Sequence, residues 1–323
     1  MQEEKFFKKC FKTDAHQLNV EAIVLDDNEN LILTCSRDQH IKLWSLSEDL
    51  KKGLHQRQDF PHHKSSVLSL KPILAFHKPS FFVSLSTDET MKYWDFSEKK
   101  CLKSLNLRGV VSSFLIDNQK IFAAFGRDSL YIIKVLDIYG GEAVQEFKGH
   151  SDVILSMVIS HNMKILISGS RDKTICFWNL KSKKPFQKPL KVHSKVHKLG
   201  ITNLLILENK GLLISGANDN LIKIWALKEV DLSLTLTKTL SMHKGWILTL
   251  YPLSDDFLLS SASDDEIRMW NINTGECLEV IKDEMFNPGS LMFIKNKRLL
   301  LVGDKNGEVR GWEYCGPISF INL

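Results

Sequence analysis

The side chains of nucleophilic hydrolysis occur near one another in the middle of this sequence. Ser168 and Asp172 fall in the stretch SGSRDKTICFWN, and His150 precedes them. A Ser-His-Asp site needs one exposed nucleophile, a histidine that takes its proton and an oxyanion hole. The stretch therefore indicates either a hydrolase site or a structural hydrogen-bond network, and the rest of the chain decides between the two.

The same combination recurs in five copies, each time with a tryptophan. In every copy the hydroxyl residue lies four positions before the aspartate, the aspartate lies six before the tryptophan, and the histidine lies upstream. Five equivalent active sites in one chain would be unusual, and the sequence has no GxSxG, GxxxxGK[ST] or HExxH motif, so we interpret the set as architecture. The copies are His16, Thr34, Asp38 and Trp44; His63, Ser84, Asp88 and Trp94; His150, Ser168, Asp172 and Trp178; His197, Ser215, Asp219 and Trp225; His243, Ser260, Asp264 and Trp270.

Two weaker copies fill the gaps in the repeat. FAAFGRDSLYIIKV keeps Asp128 but has Ala124 in place of the hydroxyl, and LLLVGDKNGEVRGW places Asn306 at the aspartate position. The count is therefore seven units. They end near Trp44, Trp94, Val135, Trp178, Trp225, Trp270 and Trp312.

Each unit reads as a set of short strands separated by turn residues. In the fourth unit, strands are predicted at Val153–Ile159, Ile165–Ser170 and Thr174–Leu180, with a weaker one near Lys188–Val192. No interval shows sustained helical periodicity. The sequence predicts an all-β protein.

These repeats resemble those of the WD-repeat β-propeller family, and the resemblance covers nearly the whole chain. It implies a single domain over residues 1–323, a seven-bladed propeller of four-stranded antiparallel blades. In that family the tryptophan N–H donates to the hydroxyl, the hydroxyl to the histidine, and the histidine to the aspartate. A buried network of this kind is tolerated only when every member has a partner.

A propeller of this family is closed by an outer strand from one terminus. KFFKKCF, residues 5–11, precedes His16 as the weak outer strands precede the other histidines, so we expect it to complete the last blade. The C-terminal segment PISFINL also reads as a strand and is the alternative.

The family resemblance also implies where partners bind, on the top face around the central channel. Two positions in each blade commonly point there. The position five residues after the histidine is held by Glu21, Leu68, Ser112, Leu155, Thr202, Leu248 and Leu291, and the position before the turn aspartate by Arg37, Thr87, Arg127, Arg171, Asn218, Ser263 and Lys305. Trp246 lies beside the first set. The candidate binding residues are Arg37, Leu68, Arg127, Leu155, Arg171, Trp246, Leu248, Leu291 and Lys305.

Arginine among leucines predicts a particular ligand. Its guanidinium binds carboxylate or phosphate in a bidentate manner. We therefore expect a protein or peptide with an acidic or phosphorylated residue beside apolar anchors. In the alternative interpretation the arginines pair with nearby acids and the leucines plug the channel mouth.

The composition sets the remaining expectations. Apolar residues make up 43% of the chain and charged residues 25%, the formal charge is +5, and the six cysteines form no CxxC pair. These features favour a reduced compartment, the cytoplasm or alternatively the nucleus, over secretion. No metal or cofactor is expected, and nucleic acid is disfavoured because the lysine-rich stretch LKSKKPFQKPLKVHSKVHK has no interleaved aromatics to stack on bases.

The main functional hypothesis is a non-catalytic interaction scaffold or adaptor. The alternatives are a structural subunit held by its sides in a large assembly, a nucleic-acid-associated factor, and an enzyme with its site in the channel.

Overall fold

The computed structural model describes residues 5–25, 31–60, 63–73, 81–95, 98–117, 119–138, 141–285 and 287–321. For Arg127 it describes the backbone alone, so the predicted binding role of that side chain lies outside the described residues. The described residues are almost entirely β-strands and turns.

The strands form seven sheets. β1, Phe7–Asp14, belongs to the last of them. The first sheet contains β2 Val20–Leu25, β3 Leu31–Ser36, β4 Ile41–Leu46 and β5 Leu54–Asp59; the second contains β6 Val67–Pro72, β7 Phe81–Ser86, β8 Thr90–Asp95 and β9 Lys100–Asn106.

Three sheets follow in the middle of the chain. The third contains β10 Val110–Asp117, β11 Lys120–Arg127, β12 Leu130–Asp137, β13 Ala143–His150 and the short β17 Phe186–Gln187; the fourth contains β14 Ile154–Ser160, β15 Ile165–Ser170, β16 Ile175–Asn179 and β18 Lys191–His193; the fifth contains β19 Ile201–Leu207, β20 Leu212–Ala217, β21 Ile222–Lys228 and β22 Ser233–Leu240.

The last two sheets complete the set. The sixth contains β23 Ile247–Pro252, β24 Phe257–Ala262, β25 Glu266–Asn271 and β26 Cys277–Lys282; the seventh contains β27 Ser290–Ile294, β28 Leu299–Gly303 and β29 Glu308–Tyr314 with β1. Short 3₁₀ helices occur at Leu50–Lys52, Glu208–Lys210, Lys295–Lys297 and Ile318–Phe320.

The described chain groups into two compact units. One comprises Met1–Leu107, Tyr251–Asn273 and Cys277–Leu323, and the other comprises Arg108–Leu250 and Thr274–Glu276.

Burial falls from the second strand of a sheet to its outermost strand. β15 and β28 are buried at every residue, whereas β9 is mostly exposed. A strand that is covered on both faces reads as a continuous apolar run, which is why ILISGS and LLLVG carry no polar alternation. In the sheets that contain a tetrad, the second strand carries its hydroxyl residue.

The N-terminal strand completes the seventh sheet, as predicted. β1 pairs antiparallel with β29, from Phe7 opposite Tyr314 to Asp14 opposite Glu308. The strand is shifted toward the C-terminus relative to the predicted residues 5–11. Phe11 is 5% exposed and packs on Gly311, where an added Cβ would lie 2.7 Å from the Phe11 Cζ atom.

The C-terminal segment does not form the predicted strand. Ile318–Phe320 is a 3₁₀ helix, with Pro317 at its N-cap. The Tyr314 hydroxyl donates to the Pro317 carbonyl at 3.1 Å, and Phe320 stacks on Phe257 with ring centroids 4.0 Å apart. The apolar residues of this tail therefore cover the core of the first unit instead of extending a sheet.

The lysine-rich connection differs from the predicted single outer strand at Lys188–Val192. Its antiparallel strand is β18, while β17 pairs in parallel with β13 of the preceding sheet. The buried Gln145 side chain holds the connection there, donating Nε2 to the Ser182 carbonyl at 2.6 Å. One sheet of the second unit thus has five strands instead of four.

Among the residues that the structure describes, no helix has the length and apolarity needed to cross a bilayer.

Removal of residues 1–13 is expected to lower the melting temperature, because it exposes the edge of β29 and removes the apolar side chains of Phe7 and Phe11 from the core. The substitution Phe11→Ala alone is expected to reduce the unfolding free energy by about 3–5 kcal/mol, the usual cost of truncating a buried phenylalanine. Thermal and urea denaturation measure both effects. Lys8→Ala, at an exposed position of the same strand, is the control. A deletion variant that melts at the wild-type temperature would show that the strand contributes nothing to stability.

Candidate functional site

The first tetrad forms a continuous chain of hydrogen bonds. Trp44 Nε1 donates to the Thr34 hydroxyl at 2.8 Å, and that oxygen lies 2.7 Å from His16 Nε2. On the other side of the ring, His16 Nδ1 lies 2.9 Å from Asp38 Oδ2. The chain connects β4, β3, the segment before β2 and the turn between β3 and β4.

Three other tetrads have the same geometry. In each, three distances describe the hydrogen bonds from tryptophan to hydroxyl, from hydroxyl to histidine and from histidine to aspartate. They are 2.7, 2.6 and 3.0 Å for Trp94, Ser84, His63 and Asp88. They are 2.8, 2.7 and 2.8 Å for Trp178, Ser168, His150 and Asp172, and 2.9, 2.7 and 2.9 Å for Trp225, Ser215, His197 and Asp219. In the sixth sheet, Trp270 Nε1 donates to the Ser260 hydroxyl at 2.8 Å, and His243 is buried.

The direction of every proton in a tetrad follows from its chemistry. The indole N–H can only donate, so the hydroxyl oxygen accepts from it and gives its own proton to the histidine Nε2. The imidazole is then neutral, with its proton on Nδ1, and donates to the aspartate. Burial lowers the pKa of His16, which favours this neutral form, although the Asp38 carboxylate opposes the shift.

In four tetrads the aspartate also accepts backbone hydrogen bonds from two loops. Asp172 accepts from Ser151 N and Thr174 N, both at 2.9 Å. Burial raises the pKa of Asp172, but the bonds from His150, Thr174 and Ser151 outweigh it, so the pKa lies well below its usual range. The carboxylate thus fastens the loop before β14 to the turn between β15 and β16.

This geometry excludes the tetrads as hydrolytic sites. The hydroxyls of Thr34, Ser84, Ser168 and Ser215 belong to residues with no exposed surface, and each is already engaged on both sides. A nucleophile must reach its substrate. The described tetrads therefore have the residue types of a catalytic triad but no access to a substrate.

The seventh sheet holds its turn in a different way, which sequence reasoning missed. Asp304, two residues before the predicted position Asn306, accepts from Asn306 N at 3.0 Å and Glu308 N at 3.1 Å. Its other oxygen pairs with Arg310 Nη1 at 2.7 Å, and both residues are almost fully buried. In the sequence, the available signal was the acidic Asp304 followed six residues later by the basic Arg310.

The structure places the candidate binding residues in different environments. Arg37 forms an ion pair with Glu21, as the alternative interpretation expects. Leu291 is 6% exposed and packs in the core of the first unit, so its prediction as a surface contact is wrong. The segment upstream of Leu291 has no histidine from which to count, so its position was inferred from the neighbouring repeats. That inference did not predict how deeply Leu291 is buried. Lys305 is exposed, and Leu68 is half-buried.

In the second unit, several candidates lie at the ends of strands next to the tetrad loops. We call this the histidine-loop face, formed by the loops before β14, β19 and β23 and the turns after β15 and β20. Arg171 is exposed there, Leu155 and Leu248 are half-buried, and Trp246 is 56% exposed. Leu199, 45% exposed, was not anticipated.

Hydrogen bonds fix neighbouring strands on this face. The Thr202 hydroxyl donates to the Ile247 carbonyl at 2.7 Å, and the Ser112 hydroxyl donates to the Ile154 carbonyl at 2.6 Å. These two members of the predicted surface set therefore bind adjacent backbone instead of facing outward. Arg171 N donates to the Val153 carbonyl at 2.8 Å, which holds the base of that exposed side chain.

The repeats match a known sequence family. The WD domain, G-beta repeat, matches residues 7–45, 141–179, 187–226 and 234–271. Four segments of the chain are therefore WD repeats of this family. Two solved structures share the fold over 95% of this WD-repeat chain: the WD40 β-propeller domain of Doa1, with a TM-score of 0.78, 18% identity and 96% of that chain covered, and the computationally designed Ika8 protein, with a TM-score of 0.70, 21% identity and 99% covered. The fold is a seven-bladed β-propeller.

Curated relatives are similar to part of the WD-repeat chain. Protein ROOT INITIATION DEFECTIVE 3 of Arabidopsis thaliana is 27% identical over 182 residues, 53% of this chain and 41% of its own length. Pre-mRNA-processing factor 17 of Mus musculus is 28% identical over 176 residues, covering 53% and 29%, and WD repeat-containing protein 18 of Danio rerio is 25% identical over 184 residues, covering 52% and 42%. The matched region thus spans less than half of each relative.

The substitution Ser168→Ala is expected to destabilise the protein by at least about 2 kcal/mol, because it leaves the Trp178 N–H and His150 Nε2 buried without a partner, at about 1–3 kcal/mol each. Urea denaturation measures the loss. Ser151→Ala removes an exposed hydroxyl from the adjacent loop and is expected to change stability by less than about 0.5 kcal/mol. Equal effects of the two variants would show that the hydrogen-bond chain carries no stability.

Stability is expected to depend on pH through the tetrad carboxylates. Burial raises the pKa of Asp88, but hydrogen bonds from Thr90, Lys64 N and His63 outweigh it and lower the pKa to about 2. The unfolded-state value is about 3.9, so the charged form stabilises the fold fully above about pH 4 and loses this effect as the pH falls toward 2. The stability gap between wild type and Asp88→Asn should therefore narrow from pH 5 to pH 3 in urea titrations. A gap that stays constant over this range would contradict the assignment.

Proposed function

We propose that this WD-repeat chain is a non-catalytic scaffold that binds a partner protein on the histidine-loop face of its second unit. The observation that carries the proposal is the exposure of Trp246, Leu199 and the charged Arg171 at the same set of strand ends. Large exposed apolar side chains near a cation are typical of protein-binding surfaces, where aromatic residues and arginine contribute most of the binding energy.

The chemistry of this face indicates the kind of partner. Arg171 has no ion-pair partner among the described residues, so its guanidinium is available to a carboxylate or phosphate. Leu155 and Leu248 present part of their apolar surface in the neighbouring inner strands. A peptide with an acidic or phosphorylated residue and one or two apolar anchors fits these groups.

An assembly that processes RNA is a second setting for this scaffold, and it would place the chain in the nucleus. Two curated relatives are named pre-mRNA-processing factor 17 and U3 small nucleolar RNA-associated protein 21 homolog. In such an assembly the chain would contribute protein contacts. The apolar character of the histidine-loop face supports a protein ligand over a nucleic acid, whose phosphates would require a broad basic surface.

Affinity purification with quantitative mass spectrometry tests the proposal. The double variant R171E/W246A is expected to recover the main copurifying protein at about one tenth of the wild-type level or less, because it removes the aromatic anchor and reverses the charge. The variant K228E reverses an exposed lysine at the end of β21 and is expected to retain it. Undiminished capture by R171E/W246A, with a wild-type melting temperature, would place the interaction elsewhere and reject the proposal.

A further inference from the structure

The second unit contains a cavity of about 400 Å³ at the end of the strands away from the histidine-loop face. It lies where β10 ends, at Asp117, and where β14 ends, at Ser160. The tetrad loops at His150 and Asp172 lie at the opposite ends of the strands in the same sheets. This cavity is therefore separate from the surface proposed above.

The floor of the cavity is apolar. Phe122 is buried in the core of the second unit, and Ile159 and Leu180 pack against the same cluster while remaining half-buried. The backbone fixes this arrangement, since Leu180 N donates to the Lys164 carbonyl at 3.1 Å. An apolar side chain that entered the cavity would meet a preformed hydrophobic surface.

The rim is basic. Lys120 is the first residue of β11, Lys164 lies between β14 and β15, and Lys181 follows β16. All three are exposed. None has an acidic partner among the described residues. The one carboxylate in the lining, Asp117, lies 3.9 Å from His161 Nδ1. Lys120 lies opposite Asp117 and Asp137 in the strand register. Three lysines against one carboxylate in the lining still leave a net positive charge, which raises the local concentration of anionic ligands.

The positive charge extends beyond the cavity along one loop. Lys183 and Lys184 follow Lys181 and are exposed. Their loop is held in place by the buried Gln145 side chain, which donates Nε2 to the Lys184 carbonyl at 3.2 Å as well as to Ser182. The loop that contributes Lys181 to the rim is therefore attached to the body of the unit through a side chain that also lines the cavity.

We propose that this cavity binds an acidic peptide segment of a partner protein, with one apolar side chain on the floor and flanking carboxylates on Lys120, Lys164 and Lys181. The lining favours a peptide over single-stranded nucleic acid. Its one phenylalanine, Phe122, is 3% exposed and presents no face for a base to stack on. An apolar floor surrounded by polar groups is the usual anatomy of a protein-recognition site.

The binding test uses a fluorescein-labelled peptide of aspartates and glutamates around a central leucine. The matched control peptide has asparagine and glutamine at the acidic positions. Fluorescence anisotropy with the full chain is expected to show binding of the acidic peptide alone, weakening as salt rises because screening reduces the attraction. Failure of wild type to bind the acidic peptide, or equal binding of the amide peptide, overturns the proposal.

Variants locate the binding. K120E/K164E is expected to weaken the peptide affinity about tenfold or more, while K120R/K164R retains it because the charge is kept. K188E/K228E makes the same change in net charge at exposed lysines outside the cavity and should keep the wild-type affinity within about twofold. Equal loss in both charge-reversal variants indicates a nonspecific field and overturns the site.

Two further measurements distinguish this proposal from peptide binding at the histidine-loop face and from RNA binding in the cavity. R171E/W246A is expected to bind the peptide normally, since the histidine-loop face lies at the other ends of the strands; loss of binding in that variant contradicts the assignment to the cavity. Tighter binding of a single-stranded RNA oligonucleotide than of the peptide, with the same dependence on Lys120 and Lys164, would replace the peptide by RNA and overturn the proposal as stated.

Discussion

A fully buried hydroxyl that must accept one hydrogen bond and donate another determines the construction of this protein. Ser168 has no exposed surface, and the Trp178 indole can only donate to it. The serine proton must therefore go to His150, which fixes the tautomer of the ring and directs Nδ1–H to Asp172. Reversing any one of these hydrogen bonds would leave a buried polar group without a partner, which costs stability. The relay thus specifies one arrangement of a turn, two strands and a loop.

The seventh sheet shows what replaces the relay when its residues are absent. A buried ion pair between Arg310 and Asp304 holds the turn, and Glu308 contacts both Arg310 and Lys12. Lys12 belongs to β1, so the same group of charges also holds the strand that arrives from the other end of the sequence. A buried ion pair is seldom a net source of stability, but removing one partner leaves an isolated charge and is strongly unfavourable. In this sheet the same group of charges joins the turn to the N-terminal strand.

The features that could be predicted from the sequence are those that repeat. The fourth sheet illustrates this, because Ile165–Ser170 was predicted with its observed bounds from an apolar run between turn residues. The N-terminal strand was found because KFFKKCF stands in the same relation to His16 as other outer strands do to their histidines. Because the same local structure recurs in several copies, the copies together indicate where its strands and turns lie, even when a single copy is ambiguous.

What could not be predicted depends on single contacts that do not repeat. The parallel pairing of Phe186–Gln187 depends on the buried Gln145 amide, and nothing in the spacing of residues indicates that interaction. The tail became a 3₁₀ helix because Phe320 stacks on Phe257, a contact between distant parts of the sequence. Leu291 was misplaced because its unit lacks the histidine that sets the register elsewhere. How far a residue is buried depends on the packing of the whole structure. A sequence motif predicts this burial only in repeats where the whole motif is present.

The relay also constrains how this protein can act. Because the serines, histidines and aspartates of the described tetrads satisfy one another, these side chains are engaged within the sheets. The loops at the strand ends are then free to vary, since the tetrad aspartates hold their backbones through main-chain hydrogen bonds. In the second unit one set of strand ends presents Trp246 and Leu199, and the opposite set presents lysines around an apolar cavity. If both proposed surfaces bind as argued above, one sheet body would hold two different partners at its opposite ends.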